Sequence, residues 1–318
     1  MGQSLIALVS GFVITVMVLP LFIGYLRMRD EGQQIREEGP KWHAKKAGTP
    51  TMGGLVFSIA AIVSATWVAI WQGVANKTLL VLVIAFVGFA LIGFFDDGIG
   101  LVLKRNMGLR AYQKLLAQII IAVIVIYILF TDKFSFTIDV PFIGSVDNIW
   151  FYALFTIVWL VGFSNAVNLS DGIDGLAGGL AIIAYGTYGI IAYQQHNMIV
   201  LYFTMAVVGA LIGFLIFNKK PAKIFMGDVG SLALGGGIAL ISLLLNRPWS
   251  LLLVGIVFVL ETLSVMLQVT SFKLTGKRIF KMTPVHHHFE MSGFSEWQVD
   301  LLFWSVGLVA AILYLVIF

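Results

Sequence analysis

Long apolar runs recur from one end of this chain to the other, and they decide most of what it can fold into. Ten can be drawn: Leu5–Leu26, Met52–Trp71, Leu79–Phe95, Leu115–Phe130, Ile149–Val167, Leu176–Tyr193, Met198–Phe217, Val229–Leu245, Trp249–Phe272 and Val299–Phe318. Most hold the roughly 20 residues needed to cross a hydrocarbon core. Backbone in lipid must satisfy its own hydrogen bonds, so such runs fold as helices. The prediction is an all-α polytopic membrane protein with about ten transmembrane helices, in one domain over residues 1–318. Composition agrees, since 11% of the residues are charged against about 25% in soluble domains. The first run is too long for the apolar core of a signal peptide and lacks a basic flank, so it reads as a retained helix. Cysteine is absent, which excludes disulfides and thiolate metal sites.

Charge then orients the spans. Of the 20 Lys and Arg residues, 17 lie in segments after odd-numbered spans and 3 after even-numbered ones. The positive-inside rule assigns the first set to the cytoplasm and puts both termini outside. The exterior stretch from Thr131 to Asn148 alternates apolar and polar residues around Pro141 and Gly144. That pattern predicts a short exterior β-hairpin.

Almost every unusual residue falls on the basic side. Asp96-Asp97 ends the third span, either as a solvated helix end or as a pair of carboxylates relieved by a cation or a shared proton. Asn168, Asp171 and Asp174 are spaced i, i+3, i+6 in a loop without basic residues. One acid can cap the next helix; two acids suit a metal, a sugar or a base. Asp228 lies in Phe225-Met226-Gly227-Asp228 near Lys219, Lys220 and Lys223, where it either caps a helix or holds a hard cation such as Mg²⁺. Lys45-Lys46 precede a Gly-containing turn and a helix start, which suits phosphate or simple topology. His286, His287 and His288 are consecutive, so a regular helix cannot turn all three to one metal. Hydrogen bonds to phosphate are the alternative to a loop without a role. Glu261 is deep in the ninth span, with Gln268 two turns later, and serves either function or helix pairing. Carboxylates, lysines and histidines on one membrane face match the inventory of metal-assisted phosphoryl transfer. A cation-coupled transporter would need its charges at the midplane, where Glu261 stands nearly alone.

The blocks TPTMGG, FFDD, NAVNLSDGIDGLAGG, FMGDVGS and KMTPVHHHFE resemble those of the phospho-N-acetylmuramoyl-pentapeptide transferase family, within the polyprenyl-phosphate N-acetylhexosamine-1-phosphate transferases. The match runs in order from about Lys45 to Trp297. The resemblance implies transfer of phospho-MurNAc-pentapeptide from UDP-MurNAc-pentapeptide to undecaprenyl phosphate, giving lipid I and UMP. It implies a Mg²⁺-dependent, ten-span, homodimeric bacterial plasma-membrane enzyme with its active site on the cytoplasmic face and no nucleic-acid partner. By motif, Asp228 is the Mg²⁺ ligand, Asp96 the base, Asp97 a support for the metal or phosphate site and His287 a further catalytic residue. Asn168, Asp171 and Asp174 line the nucleotide-sugar pocket. Phe225 stacks on uracil with Asn218 and Gln268 nearby. His286 and His288 contact substrate, and Lys46 and Lys104 hold phosphate or carrier. One departure is Gly100, where many members carry lysine; Lys104 or Lys114 is the substitute. The alternative within enzymes is a sister transferase using UDP-GlcNAc, against which the PVHHHFE block argues.

Overall fold

A computed structural model of the chain describes residues 2–29, 46, 48–102, 108–132 and 134–318. Lys104 lies outside these residues. The elements in order are α1 (Gly2–Met28), α2 (Gly53–Trp71), α3 (Lys77–Val102), α4 (Ala111–Thr131), β1 (Thr137–Val140), β2 (Gly144–Asp147), α5 (Ile149–Ser170), α6 (Leu176–Gln194), α7 (Met198–Asn218), α8 (Asp228–Leu244), α9 (Ser250–Val254), α10 (Ile256–Thr275), α11 (Val285–Glu290) and α12 (Glu296–Ile317). Among the described residues, nine helices are long and apolar enough to cross a membrane. The chain is a multi-pass membrane protein.

The eighth expected span is α8, an apolar helix of the expected 17 residues that starts one residue earlier than drawn and is shorter than the nine long helices. Every residue from Val229 to Leu244 is buried, so protein rather than lipid surrounds it. The ninth breaks at Gly255 into α9 and α10, as helices do where a residue without a side chain lets the ladder bend. The third also differs at its end, because α3 continues through Asp96 and Asp97 to Val102.

Helices without polar faces associate in lipid by close packing of small residues. On α1 the buried positions Ala7, Gly11, Thr15, Leu19 and Ile23 recur every four residues. A Cβ on Gly11 would strike the Ala206 carbonyl, and one on Gly209 would strike the Leu8 carbonyl, so α1 and α7 meet backbone to backbone. The three consecutive glycines of α8 do the same for the centre. Gly235 abuts the backbone of Phe163 on α5, Gly236 the Phe89 ring on α3, and Gly237 the Tyr185 hydroxyl on α6. Large apolar side chains remain exposed along α1, α4, α10 and α12, as lipid-facing surfaces require.

The hairpin forms as expected, with β1 antiparallel to β2 and Val140 opposite Gly144. Ile138 is its buried residue, and the Trp249 indole N–H donates to the Asp139 carbonyl at 2.7 Å. Lys77 pairs with Asp132 at 3.4 Å where α3 begins and α4 ends. The acidic and histidine motifs all gather at the opposite end of the bundle.

Candidate active site

The site is built on the first turn of α8. Gly227 precedes it with φ 75°, a conformation that favours glycine, and a Cβ there would meet the Asp97 carboxylate. Asp97 uses both oxygens to accept from the first N–H groups of α8, Asp228 at 3.2 Å and Val229 at 3.1 Å. It thus caps α8 from α3, at the end where the helix dipole favours an anion. The TPTMGG block has a matching structural task. Phe225 N–H donates to the Pro50 carbonyl, and Gly53 and Gly54 N–H donate to the Phe225 and Met226 carbonyls. Gly54 packs on Gly230 so closely that a side chain would not fit.

Asp228 then faces three elements. Its Oδ2 accepts from the Lys114 ammonium at 2.6 Å, and its Oδ1 accepts from the Asn168 amide at 2.7 Å. Lys114 also pairs with Asp96 at 3.1 Å. Asp96 Oδ1 accepts from Leu109 N–H at 2.9 Å, while Asn168 reaches Ser231 at 2.9 Å. Ligand atoms of Asp96, Asp97 and Asp228 all lie within 4.8 Å of one another. At that range two unit charges interact by about 3–4 kcal/mol with an effective dielectric near 20. One ammonium does not balance three ionised carboxylates at such distances. A divalent cation does, and hard carboxylate oxygens are what such an ion takes. The donor set therefore fits a divalent metal.

Asp171 follows α5. Burial raises its carboxyl pKa to about 7, with Asp228 and Asp174 adding to the shift and a hydrogen bond from the Gly227 backbone opposing it. Asp174 is buried and fully engaged, accepting from Lys46 at 2.7 Å and from Ala222 N–H at 2.9 Å. Lys46 also meets Glu296 at 2.7 Å, and Glu296 pairs with Lys220 at 3.1 Å. Burial acts to lower the Lys46 pKa, but its two carboxylate partners outweigh it and raise the value. Glu296, which the sequence reading missed, thus joins Lys46 and Lys220 in one network. Glu296 follows Ser295, whose capping box with Gln298 makes it read as an ordinary solvated helix start.

Asn218 and Gln268, expected near uracil, both hydrogen-bond to backbone groups. The Asn218 amide accepts from Gly175 N–H at 3.1 Å and donates to the Ile224 carbonyl at 3.0 Å. The Gln268 amide accepts from Ile279 and Phe280 N–H and donates to the Phe280 carbonyl. Phe225 is half-buried beside Gly227. The histidines lie on the short helix α11 and diverge. His286 Nδ1 is 3.1 Å from Glu261, His287 Nδ1 is 2.8 Å from Glu290, and His288 Nδ1 accepts from Lys281 N–H at 3.2 Å. His286 is fully buried, so it stands behind the site surface rather than on it. Its neighbours His287 and His288 are partly accessible.

The comparisons with known proteins agree with this geometry. Residues 79–246 match the glycosyl transferase family 4 model, and residues 46–57 match signature 1 of phospho-N-acetylmuramoyl-pentapeptide-transferase. The chain is 64% identical over 317 residues to the phospho-N-acetylmuramoyl-pentapeptide-transferase of Lactobacillus johnsonii, covering 100% of this chain and 99% of that one. That of Lactobacillus gasseri is equally similar, at 64% with the same coverage. That of Lactiplantibacillus plantarum is 56% identical over 307 residues, covering 96% and 95%. Aspartates 96, 97 and 228 and Asn168 all fall within the matched segment, and Lys46 opens the matched signature. The chain therefore belongs to glycosyl transferase family 4 and, within it, to the phospho-N-acetylmuramoyl-pentapeptide-transferases.

Proposed function

We propose that this chain transfers phospho-MurNAc-pentapeptide from UDP-MurNAc-pentapeptide to undecaprenyl phosphate, forming lipid I and releasing UMP, in the membrane step of peptidoglycan synthesis. The observation that carries the reading is the aspartate trio around Lys114, in a chain similar from end to end to transferases of that name. The sister reaction with UDP-GlcNAc is not favoured by those similarities. Residues 1–318 act as a single catalytic domain in a bacterial plasma membrane, with the site facing the cytoplasm. The basic residues that cluster at the same end as the aspartates support that orientation. Two copies pair in the membrane, as the family resemblance implies.

Asp228 would hold the metal, taken to be Mg²⁺, together with Asp96 and Asp97, whose ligand atoms lie within 4.8 Å of its own. When bound, the ion supplies charge to offset phosphate oxygens. Lys114 fills the role left open at Gly100, since its ammonium already sits among the carboxylates that face the phosphates. Asp96 removes or holds the proton of the lipid phosphate. A lipid phosphate oxygen then attacks the donor's β-phosphorus, and the bond from that phosphorus to the oxygen bridging it to UMP breaks. The electron pair leaves with UMP. No covalent sugar-phosphate enzyme is needed, because the acceptor is itself a nucleophile. Lys46 and Asp174 help line the nucleotide-sugar side with Asn168, Asp171 and Phe225, while Lys104, His287 and His288 contact phosphate or carrier.

The test uses radiolabelled donor and purified enzyme. UMP release is expected only when undecaprenyl phosphate is present. Release without lipid, together with label trapped on Asp96 or Asp97, would overturn the direct route in favour of a double displacement. A preference for UDP-GlcNAc would overturn the substrate assignment. Light scattering of the detergent-solubilised protein would test the pairing, and a monomer mass would contradict it.

A further inference from the structure

The buried carboxylate on α10 has a partner that the reaction does not otherwise explain. Glu261 and His286 are both fully buried. Glu261 Oε1 lies 3.1 Å from His286 Nδ1, and its Oε2 accepts from the His286 backbone N–H at 3.4 Å. An ionised Glu261 can only accept, so a bond between it and the ring needs the proton on Nδ1. The other ring nitrogen, Nε2, is buried without a hydrogen-bond partner among the described residues. It rests on Gly172, where any Cβ would overlap it. With the proton on Nδ1, no N–H is stranded against that surface.

The spacing on α10 makes this more than a local pair. Its buried polar positions Glu261, Ser264 and Gln268 stand at i, i+3 and i+7, which is one helix face. Gln268 binds the backbone at Ile279 and Phe280, and Glu261 binds it at His286. One rigid face thus grips the segment 279–286 at both ends. The far side of the gripped ring packs on the acidic loop that follows α5. His287 and His288 project from the next two positions of the same short helix.

We propose that Glu261 is a positioning residue for the transfer: it fixes the His286 ring in its Nδ1-protonated form as a wedge between α10 and Gly172, and so sets where His287 and His288 face the substrate. This rests on the reaction proposed above, but its first readout does not. The chain has five histidines, so uniformly ¹⁵N-histidine-labelled enzyme gives few imidazole signals, and His286→Gln identifies the one from His286. Its Nδ1 is expected to be protonated in the substrate-free wild type. In Glu261→Leu that signal should change tautomer or broaden. Turnover per folded enzyme should fall about 100-fold, the scale of a small misplacement of reacting groups. Glu261→Gln keeps one acceptor oxygen but cannot accept both bonds, so its loss should be about 10-fold. Gly172→Ala displaces the same ring from the other side. Combined with Glu261→Leu, it should cost little beyond the larger single loss, because interacting sites are not additive. An unchanged His286 signal in Glu261→Leu would overturn the proposal, as would full turnover in a folded Glu261→Leu or Glu261→Gln. A wild type inactive on the two substrates would instead count against the assigned reaction, and the resonance would still decide the pairing.

Discussion

At the residue scale, the site is a problem of negative charge in a small space, and Lys114 and the acids divide it unequally. Lys114 touches both Asp96 and Asp228, so its removal leaves carboxylates facing each other. Asp228→Asn keeps the shape and the Asn168 contact but gives up the charge that holds a cation. It should retain the wild-type melting profile and lose turnover by at least about 1,000-fold, the order seen when a main electrostatic group is removed. Lys114→Met should lose turnover comparably. Near-normal UMP release by either variant would contradict the roles given. Asp171 has a different signature. Its folded pKa near 7 exceeds the ordinary carboxylate value, so the folded protein binds more protons than the unfolded chain between about pH 4 and 7. Stability from this group is present at low pH and is lost as pH rises through 7. In buffer without divalent metal, Asp171→Asn should therefore melt higher than wild type at pH 8, with the gap closing toward pH 5. A gap independent of pH would refute the shifted carboxyl. These residue types were legible in the sequence, but their pairings were not. Nothing local links position 114 to 228, or 46 to 296, because only the folded bundle makes them neighbours. Gly100 pointed toward a missing lysine, and only the packing of α4 on α3 brings Lys114 beside Asp96 and Asp228.

At the element scale, hydropathy located the membrane helices because lipid asks the same thing of every span. It located α8 as well, although protein rather than lipid surrounds that helix. A helix wrapped in protein needs apolar residues all round as well, and periodicity cannot tell protein from lipid as its solvent. What distinguishes α8 is its glycine triplet, which packs against α3, α5 and α6. These glycines set the depth at which α8 presents Asp228. Gly235→Ala would push a methyl into the Phe163 backbone, which cannot swing aside as a side chain can. Overpacking of this kind costs about 1–3 kcal/mol. The variant should melt lower and lose turnover, although residue 235 is two turns from Asp228. Thermal melting and UMP release measured on the same preparation check this; unchanged values in both would show that the helices have slack. The break at Gly255 was not legible, since the run Trp249–Phe272 is apolar on both sides of it.

At the scale of the whole molecule, the two ends of the bundle differ in chemistry, and the difference fixes which end does the work. One end carries the hairpin and the Lys77–Asp132 pair. The other carries the aspartates, the histidine helix and the lysines at 219, 220 and 223. The proposed reaction, with a nucleotide-sugar donor made in the cytoplasm, needs the second end on that side. The 17-to-3 bias in basic residues supports this proposal, because moving that many charges across the membrane during insertion is what the positive-inside rule disfavours. Because the chain has no cysteine, single cysteines report sidedness without background. Lys77 and Lys223 are both exposed and lie at opposite ends. A membrane-impermeant maleimide applied to intact cells should label Lys77→Cys and leave Lys223→Cys unlabelled until the membrane is opened. Inverted vesicles should reverse the pattern. Labelling of Lys223→Cys from outside intact cells would put the aspartates on the wrong face for a cytoplasmic donor, and the assigned reaction would fall with the topology.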